Sequence, residues 1–183
     1  MELAVLLPIV AFIALAAGLA VVVRGTGRLV ARTRELEQFK HATGDLAKRV
    51  DASLGGAAQQ IDAVRRRQVG PETIGDTVAA ATDAVTRYTE EARSLRGPST
   101  AKRIRSDLVA DLERAHRALE MVEHGASILA AARRGSRELE AQTSIKRGYL
   151  NLLHAREAVA RHALEAQSLE VEDGAQQAGG HAA

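Results

Sequence analysis

The chain begins with a long apolar run that contains no charged side chain. Residues Leu3 to Val23 are 21 consecutive uncharged positions. As a helix with a rise of about 1.5 Å per residue, the run spans the roughly 30 Å hydrocarbon layer of a bilayer. Pro8 lies near its start, where a proline kinks a helix without breaking it. The sequence therefore predicts a transmembrane helix over residues 3–23, with the lipid bilayer as its partner.

The charges that flank this run predict its orientation. Only the amino terminus and Glu2 precede it, whereas four arginines follow it within eleven residues, at Arg24, Arg28, Arg32 and Arg34. Because cationic flanks stay on the cytoplasmic side, we expect residues 1–2 outside the cell membrane and everything after the single span inside. The alternative is a cleaved signal peptide. Such a signal has basic residues before its apolar core, and its core is usually only about 7–15 residues long.

Composition narrows the choice of fold and chemistry for the rest of the chain. The sequence holds two Phe, two Tyr, no Trp and no Cys. The scarcity of aromatic residues favours helix over sheet. Without cysteine, a disulfide, a cysteine metal site and a thiol nucleophile are all excluded. The 25 basic and 23 acidic groups nearly balance, so we expect no nucleic acid partner.

Apolar and small residues recur at intervals of three and four along four segments after the run. The segments cover about residues 28–67, 71–96, 99–134 and 136–169. Their stripes run from Leu36 to Val64, from Ile74 to Leu95, from Ile104 to Leu129, and from Ile145 to Leu169. This spacing is typical of helices that pack side by side, as in coiled coils. It predicts an all-α chain with four long helices.

Short breaks separate the segments. Gly25 and Gly27 lie in residues 24–27, which we interpret either as a joint at the membrane surface or as a weak point in one long helix. Gly70-Pro71 begins the second segment, and Gly97-Pro98-Ser99 marks a helix end followed by Ser99 as a candidate N-cap. Because short connections make consecutive helices antiparallel neighbours, residues 28–169 are expected to form an up-down-up-down bundle. The tail, residues 170–183, lacks periodicity and is predicted to be disordered.

Two groups of residues were weighed as sites for a metal or haem. Glu113 and His116 have the Glu-x-x-His spacing of di-iron bundles, and His154 and Glu157 on the next segment are the conceivable partners. That second pair has the reverse order, so we interpret both pairs as solvated side chains. His162 lies on the apolar stripe, where a buried histidine with a hydrogen-bond partner is commoner than a ligand. We therefore assign no catalytic, cofactor-binding or metal-binding residue.

The basic clusters do not require a ligand either. They lie at residues 65–67, 102–105 and 133–137, near predicted helix ends, where cations complement the helix dipole or solvate a turn. The sequence thus predicts a membrane-anchored, non-enzymatic bacterial protein whose bundle is a structural or protein-interaction module, with a protein partner or a second copy. The alternative is a sensor or carrier bundle for a small molecule or metal.

Overall fold

A computed structural model describes the backbone of residues 3–131 and 137–170, and the side chains of residues 30–131 and 137–170. Within these ranges the chain is helical and has no strand. Its α-helices are α1 (Leu3–Arg65), α2 (Gly75–Ser94), α3 (Lys102–Ala131) and α4 (Glu138–Gln167). The predicted all-α bundle of four long helices is confirmed.

The four helices form a closed ring of neighbours. α1 packs against α2 and α4, and α3 packs against the same two helices. An ion pair crosses each of the four neighbouring pairs: Arg49–Glu91, Arg93–Glu113, Arg103–Glu165 and Arg156–Asp51. Along neighbouring helices the contacts run in reverse order. Glu91 meets Arg49 whereas Thr77 meets Gln60, and Glu165 meets Arg103 whereas Ser144 meets Met121. Consecutive helices are therefore antiparallel, and α2 lies diagonally opposite α4.

The predicted apolar stripes form the core. Phe39, Leu54, Ile74, Leu112 and Leu152, drawn from all four stripes, are each at most 1% exposed. Burial of an apolar side chain of this size stabilises a fold by roughly 1.5–3 kcal/mol, so these residues dominate the energetics of the bundle. The other large, fully buried side chains are Leu46, Val50, Ile61, Ile104, Leu108, Leu119 and Ile145.

The backbones of α3 and α4 lie in close contact at two glycines, Gly125 of α3 and Gly148 of α4. A Cβ atom on Gly125 would lie 2.8 Å from the carbonyl oxygen of Ala141. A Cβ atom on Gly148 would lie 2.6 Å from the carbonyl oxygen of Ala118. Since real Cβ atoms do not approach a carbonyl oxygen so closely, only glycine allows this spacing of the two backbones.

The helix ends explain the connections. After α1, Arg67 has φ 59°, and its N–H donates to Val64 O at 2.9 Å while the Gln68 N–H donates to Ala63 O at 2.8 Å. This pair of bonds is a Schellman motif, which ends a helix with a left-handed residue. A 3₁₀ turn, Pro71–Thr73, then precedes α2. Ser99, the candidate N-cap, instead begins a 3₁₀ turn, Ser99–Ala101, whose cap position is Pro98.

α1 is much longer than its partners, and its first half extends away from the bundle. Its first buried residue among the described side chains is Leu36, and residues 30–35 are exposed. Residues 24–27, predicted as a joint, lie within this helix. Among residues 30–131 and 137–170, no helix is both long and apolar enough to cross a membrane. The predicted span, residues 3–23, lies outside the part whose side chains are described. Of the predicted disordered tail, residues 170–183, all but the first residue lie outside the described residues.

Candidate interaction surface

The outer face of α4 exposes large apolar side chains to solvent. Leu139 is 79% exposed, Leu150 43% and Leu164 73%. At 3.6 residues per turn, these three positions lie within one narrow sector of the helix surface. Leu153, which is half-buried, borders the same sector. We call the face formed by these four residues the α4 leucine face.

The α4 leucine face has a regular heptad pattern. Starting from Leu139, its positions alternate by four and three residues and end at Leu164: 139, 143, 146, 150, 153, 157, 160 and 164. Two of these positions are charged, with Lys146 in the first half and Glu157 in the second. Both side chains are exposed, and neither forms an ion pair or hydrogen bond with any residue that the structure describes. The alternation of four and three residues is the spacing of a coiled-coil seam.

The buried side of α4 is held against α3 along most of its length. Ala141, Gly148 and Ala155, spaced by seven residues, are buried small residues on the side that meets α3. His162 occupies the next position of the same row and is also buried. The Ser144 hydroxyl adds a hydrogen bond to Met121 O at 2.8 Å. This buried row lies on the side of α4 opposite the α4 leucine face. Because the row is packed against α3, the α4 leucine face points outward from a helix that is held in place.

A buried polar network lies at one end of this contact. His162 Nε2 lies 3.0 Å from Asp111 Oδ2 of α3, and His162 Nδ1 lies 3.5 Å from Glu165 Oε2. Arg114 Nη1 donates to the other oxygen of Asp111 at 2.6 Å. These contacts give the buried Asp111 and His162 the partners that buried polar groups require.

The network extends to the surface through Glu165. Arg103 of α3 donates a hydrogen bond to Glu165, and this bond, with a smaller contribution from His162, lowers the pKa of the Glu165 carboxyl group below its usual range. The Glu165 carboxylate therefore links α3 and α4 at neutral pH. The prediction that His162 is a buried histidine with a partner is confirmed, and its partner is the Asp111 carboxylate.

The residues weighed as a di-iron site have other contacts. Glu113 accepts a hydrogen bond from Arg93 of α2 at 2.7 Å, and His116 Nε2 lies 3.5 Å from Glu120. His154 and Glu157 are exposed on α4. Among residues 30–131 and 137–170, no group of three or more His, Asp or Glu side chains could hold a metal ion.

The first basic cluster lies at the end of α1, next to an open cleft. Arg65 donates to Asp62 Oδ1 at 2.9 Å and lies over the ring of Tyr149, 5.2 Å from its centroid. Arg67 pairs with Glu138 at 2.8 Å. The cleft has a volume of about 580 Å³ and combines these arginines with the apolar residues Val64, Val69, Leu129 and Ile145. Arg65 and Arg67 already have carboxylate partners, whereas Lys146, which also lines the cleft, has no ion pair among the described residues.

In the other two basic clusters, Arg103, Arg105 and Arg137 have partners among the described residues. Arg103 pairs with Glu165 and Asp107, and Arg105 donates to Leu95 O at 3.1 Å. Arg137 pairs with Glu140 at 3.0 Å, whereas residues 133 and 134 lie outside the described residues. Residues 103, 105 and 137 therefore make contacts within the bundle, as the structural interpretation of these clusters predicts.

Comparison of the chain with models of protein families, with curated proteins and with solved structures found no match. The function must therefore be argued from the residues of this chain. The α4 leucine face was not predicted, because one apolar stripe per helix is enough to predict the bundle. The signal was present: α4 carries a second stripe with leucines at positions 139, 150, 153 and 164.

Proposed function

We propose that the protein is a membrane-tethered protein-interaction module, and that the α4 leucine face is its binding surface. The observation that carries the proposal is the exposure of Leu139 and Leu164, at 79% and 73%, on the same face of a firmly packed helix. Together with Leu150 and Leu153 these leucines form a stripe along one sector of α4, the arrangement by which a helix packs against a second helix. The heptad pattern of the face favours another α-helix as the group that binds there.

The membrane tether is the second part of the proposal. Its support is the uncharged run from Leu3 to Val23, followed by arginines that favour a cytoplasmic location for the bundle. Between Val23 and the first buried bundle residue, Leu36, α1 advances about 20 Å. A helix of this length would hold the bundle clear of the lipid headgroups, so that the α4 leucine face remains accessible to a partner.

The interaction role is tested by crosslinking in living cells. Tagged full-length protein is crosslinked, extracted in mild detergent and examined by mass spectrometry. The test variant carries Leu139→Gln, Leu150→Gln and Leu164→Gln, which remove the apolar side chains but keep good helix formers. We expect the crosslinked species of the wild type to be lost. Unchanged crosslinking by this variant would refute the α4 leucine face as the binding surface.

The matched control is Ala79→Gln with Ala80→Gln on α2. Both alanines are exposed, and α2 lies diagonally opposite α4 in the ring of helices. This control adds the same side chain at similarly exposed positions without touching the α4 leucine face. We expect it to crosslink as the wild type does, which excludes a general effect of surface glutamines.

The tether is tested separately by cell fractionation and by a reporter. The full chain should remain with membranes after washing with alkaline carbonate, and a reporter active only in the cytoplasm should be active when fused after Ala183. Release by carbonate would refute the anchor. A silent reporter on a protein that stays in the membrane would refute only the orientation.

A small-molecule sensor is the alternative function, and the cleft beside Arg65 is the observation that favours it. Its volume of about 580 Å³ lies in the range of ligand sites, roughly 300–1,000 Å³. Thermal unfolding of the purified protein against a library of metabolites tests this alternative. A ligand that raises the melting temperature of the wild type, but not of Leu129→Gln, would favour the sensor function over the interaction role.

A further inference from the structure

The α4 leucine face is complementary to the same face of a second copy when the two α4 helices are antiparallel. The peptide between Asn151 and Leu152 is the midpoint of the pairs 139/164, 143/160, 146/157 and 150/153. In an antiparallel pairing centred there, Leu139 of one copy lies opposite Leu164 of the other, and Leu150 lies opposite Leu153. Every position of the heptad stripe then has a counterpart at the same level, as two-fold symmetry requires.

The charges on the face follow the same symmetry. In the antiparallel pairing, Lys146 of each copy lies opposite Glu157 of the other, so both charges that have no partner within the described chain acquire one. In a parallel pairing, Lys146 would meet Lys146 and Glu157 would meet Glu157. Because like charges across an interface are destabilising, the charge pattern selects the antiparallel arrangement.

We propose that the partner of the α4 leucine face is a second copy of this chain, bound antiparallel along α4 over residues 139–164. The inference rests on the proposed function in that it identifies the partner of the proposed binding surface. The contact would extend over about 39 Å of helix. Each copy contributes the same four leucines, one lysine and one glutamate, and the two-fold axis passes beside Asn151 and Leu152.

The antiparallel arrangement has a consequence for the amino-terminal ends of α1. α1 runs antiparallel to α4, as shown by the contacts Asp51–Arg156 and Lys40–Gln167. In the dimer, the two α1 helices therefore leave in opposite directions. If each ends in a membrane span, the two spans lie in two facing bilayers, with about 100 Å between the points where the helices emerge. The dimer would thus connect two membrane surfaces.

Single cysteines test the pairing and its direction, because the chain has no cysteine of its own. Full-length Leu139→Cys and full-length Leu164→Cys are purified in mild non-ionic detergent, oxidised separately and as a mixture, and examined on non-reducing gels. Both positions are exposed, so neither substitution disturbs the core. We expect a disulfide-linked dimer in the mixture alone. Crosslinking of either variant with itself, or no crosslink in any sample, would overturn the proposal.

A charge exchange provides an independent measurement. Lys146→Glu places two glutamates opposite each other at two levels of the antiparallel dimer, and we expect it to raise the dissociation constant about tenfold or more, measured by analytical ultracentrifugation in detergent. The double variant, Lys146→Glu with Glu157→Lys, restores opposite charges and serves as the matched control. We expect it to bind as the wild type does. Equal weakening by both variants would show that residues 146 and 157 do not meet.

Reconstituted vesicles separate a failure of the pairing from a failure of the tether. Full-length wild type inserted into phosphatidylcholine vesicles should cluster them, as seen by light scattering, and Leu139→Gln with Leu164→Gln should not. Dimers in detergent without vesicle clustering would count against the membrane tether while the pairing stands. Vesicles that retain the protein but do not cluster, together with no dimer in detergent, would overturn the pairing and leave the tether intact.

Discussion

Replacement of Gly148 by alanine tests whether the close approach of α3 and α4 supports the bundle. The new Cβ atom would lie 2.6 Å from Ala118 O, 2.7 Å from Val122 Cγ2 and 3.1 Å from Val122 N. Two of these three atoms belong to the backbone, so a rotamer change cannot relieve the overlap and the two helices must separate. Overpacking of this kind costs roughly 1–3 kcal/mol, against a gain of about 1 kcal/mol in helix propensity. We expect a net loss of up to about 2 kcal/mol in the free energy of unfolding.

Thermal and urea unfolding of the full chain in mild detergent, followed by circular dichroism, measure this loss. For a chain of this size, the melting temperature should fall by about 2–4 °C per kcal/mol. Gly56→Ala is the matched control, because no atom lies within 4 Å of the added Cβ and the helix-propensity gain acts alone. We expect this control to be more stable than the wild type by about 0.5–1 kcal/mol. If Gly148→Ala were stabilised to the same extent, the close contact would not constrain the helices.

Five further substitutions test other parts of the bundle. Thr43→Val should raise the free energy of unfolding by about 1 kcal/mol, because the buried Thr43 hydroxyl has no hydrogen-bond partner; lower stability in urea would contradict this. Asp111→Ala and His162→Ala should each cost about 1–3 kcal/mol, since each removes the buried contact between His162 Nε2 and Asp111 Oδ2, and the double variant should lose less than the sum. Strict additivity would show that the two side chains do not interact. Glu165→Gln should be less stable than the wild type at neutral pH. Because the folded-state pKa of Glu165 is lowered, that difference should persist above its ordinary pKa of 4.5 and vanish as the pH falls through the lowered value. A difference that is independent of pH in acid titrations of both proteins would refute the role of the carboxylate. Arg67→Gly should raise the melting temperature, since glycine adopts φ 59° without the roughly 1 kcal/mol cost of a side chain, and a lower melting temperature would contradict this.

The bundle itself could be predicted from the sequence because apolar periodicity directly reports the buried side of a helix. The stripe from Leu36 to Val64 is buried at every position that was predicted, and the stripe from Ile74 to Leu95 departs only at Tyr88, which is half-buried. Gly97-Pro98 correctly indicated a break between helices. The end of α1 was less predictable because Arg67, rather than glycine or asparagine, adopts the left-handed conformation.

The contacts of His162 and the α4 leucine face could be predicted only in part, because both depend on how the helices pack against one another. The buried state of His162 followed from its position on a stripe, but its partner Asp111 lies three residues from Leu108 on the side of α3 that faces α4. A single stripe cannot show that α3 buries two sides, one against α2 and one against α4. The leucines at 139, 150 and 164 were not singled out because exposure of a leucine is decided by the packing of the other three helices.

Because α1 is one continuous helix, a rotation of its amino-terminal end about the helix axis also rotates the bundle. Since one helix extends from Leu3 to Arg65, each residue added between positions 24 and 35 would turn the bundle by about 100° about the axis of α1. Seven added residues would restore the rotational phase to within about 20° and lengthen the helix by about 10 Å. The number of residues between positions 24 and 35 thus sets the direction in which the α4 leucine face points, relative to anything that holds residues 3–23.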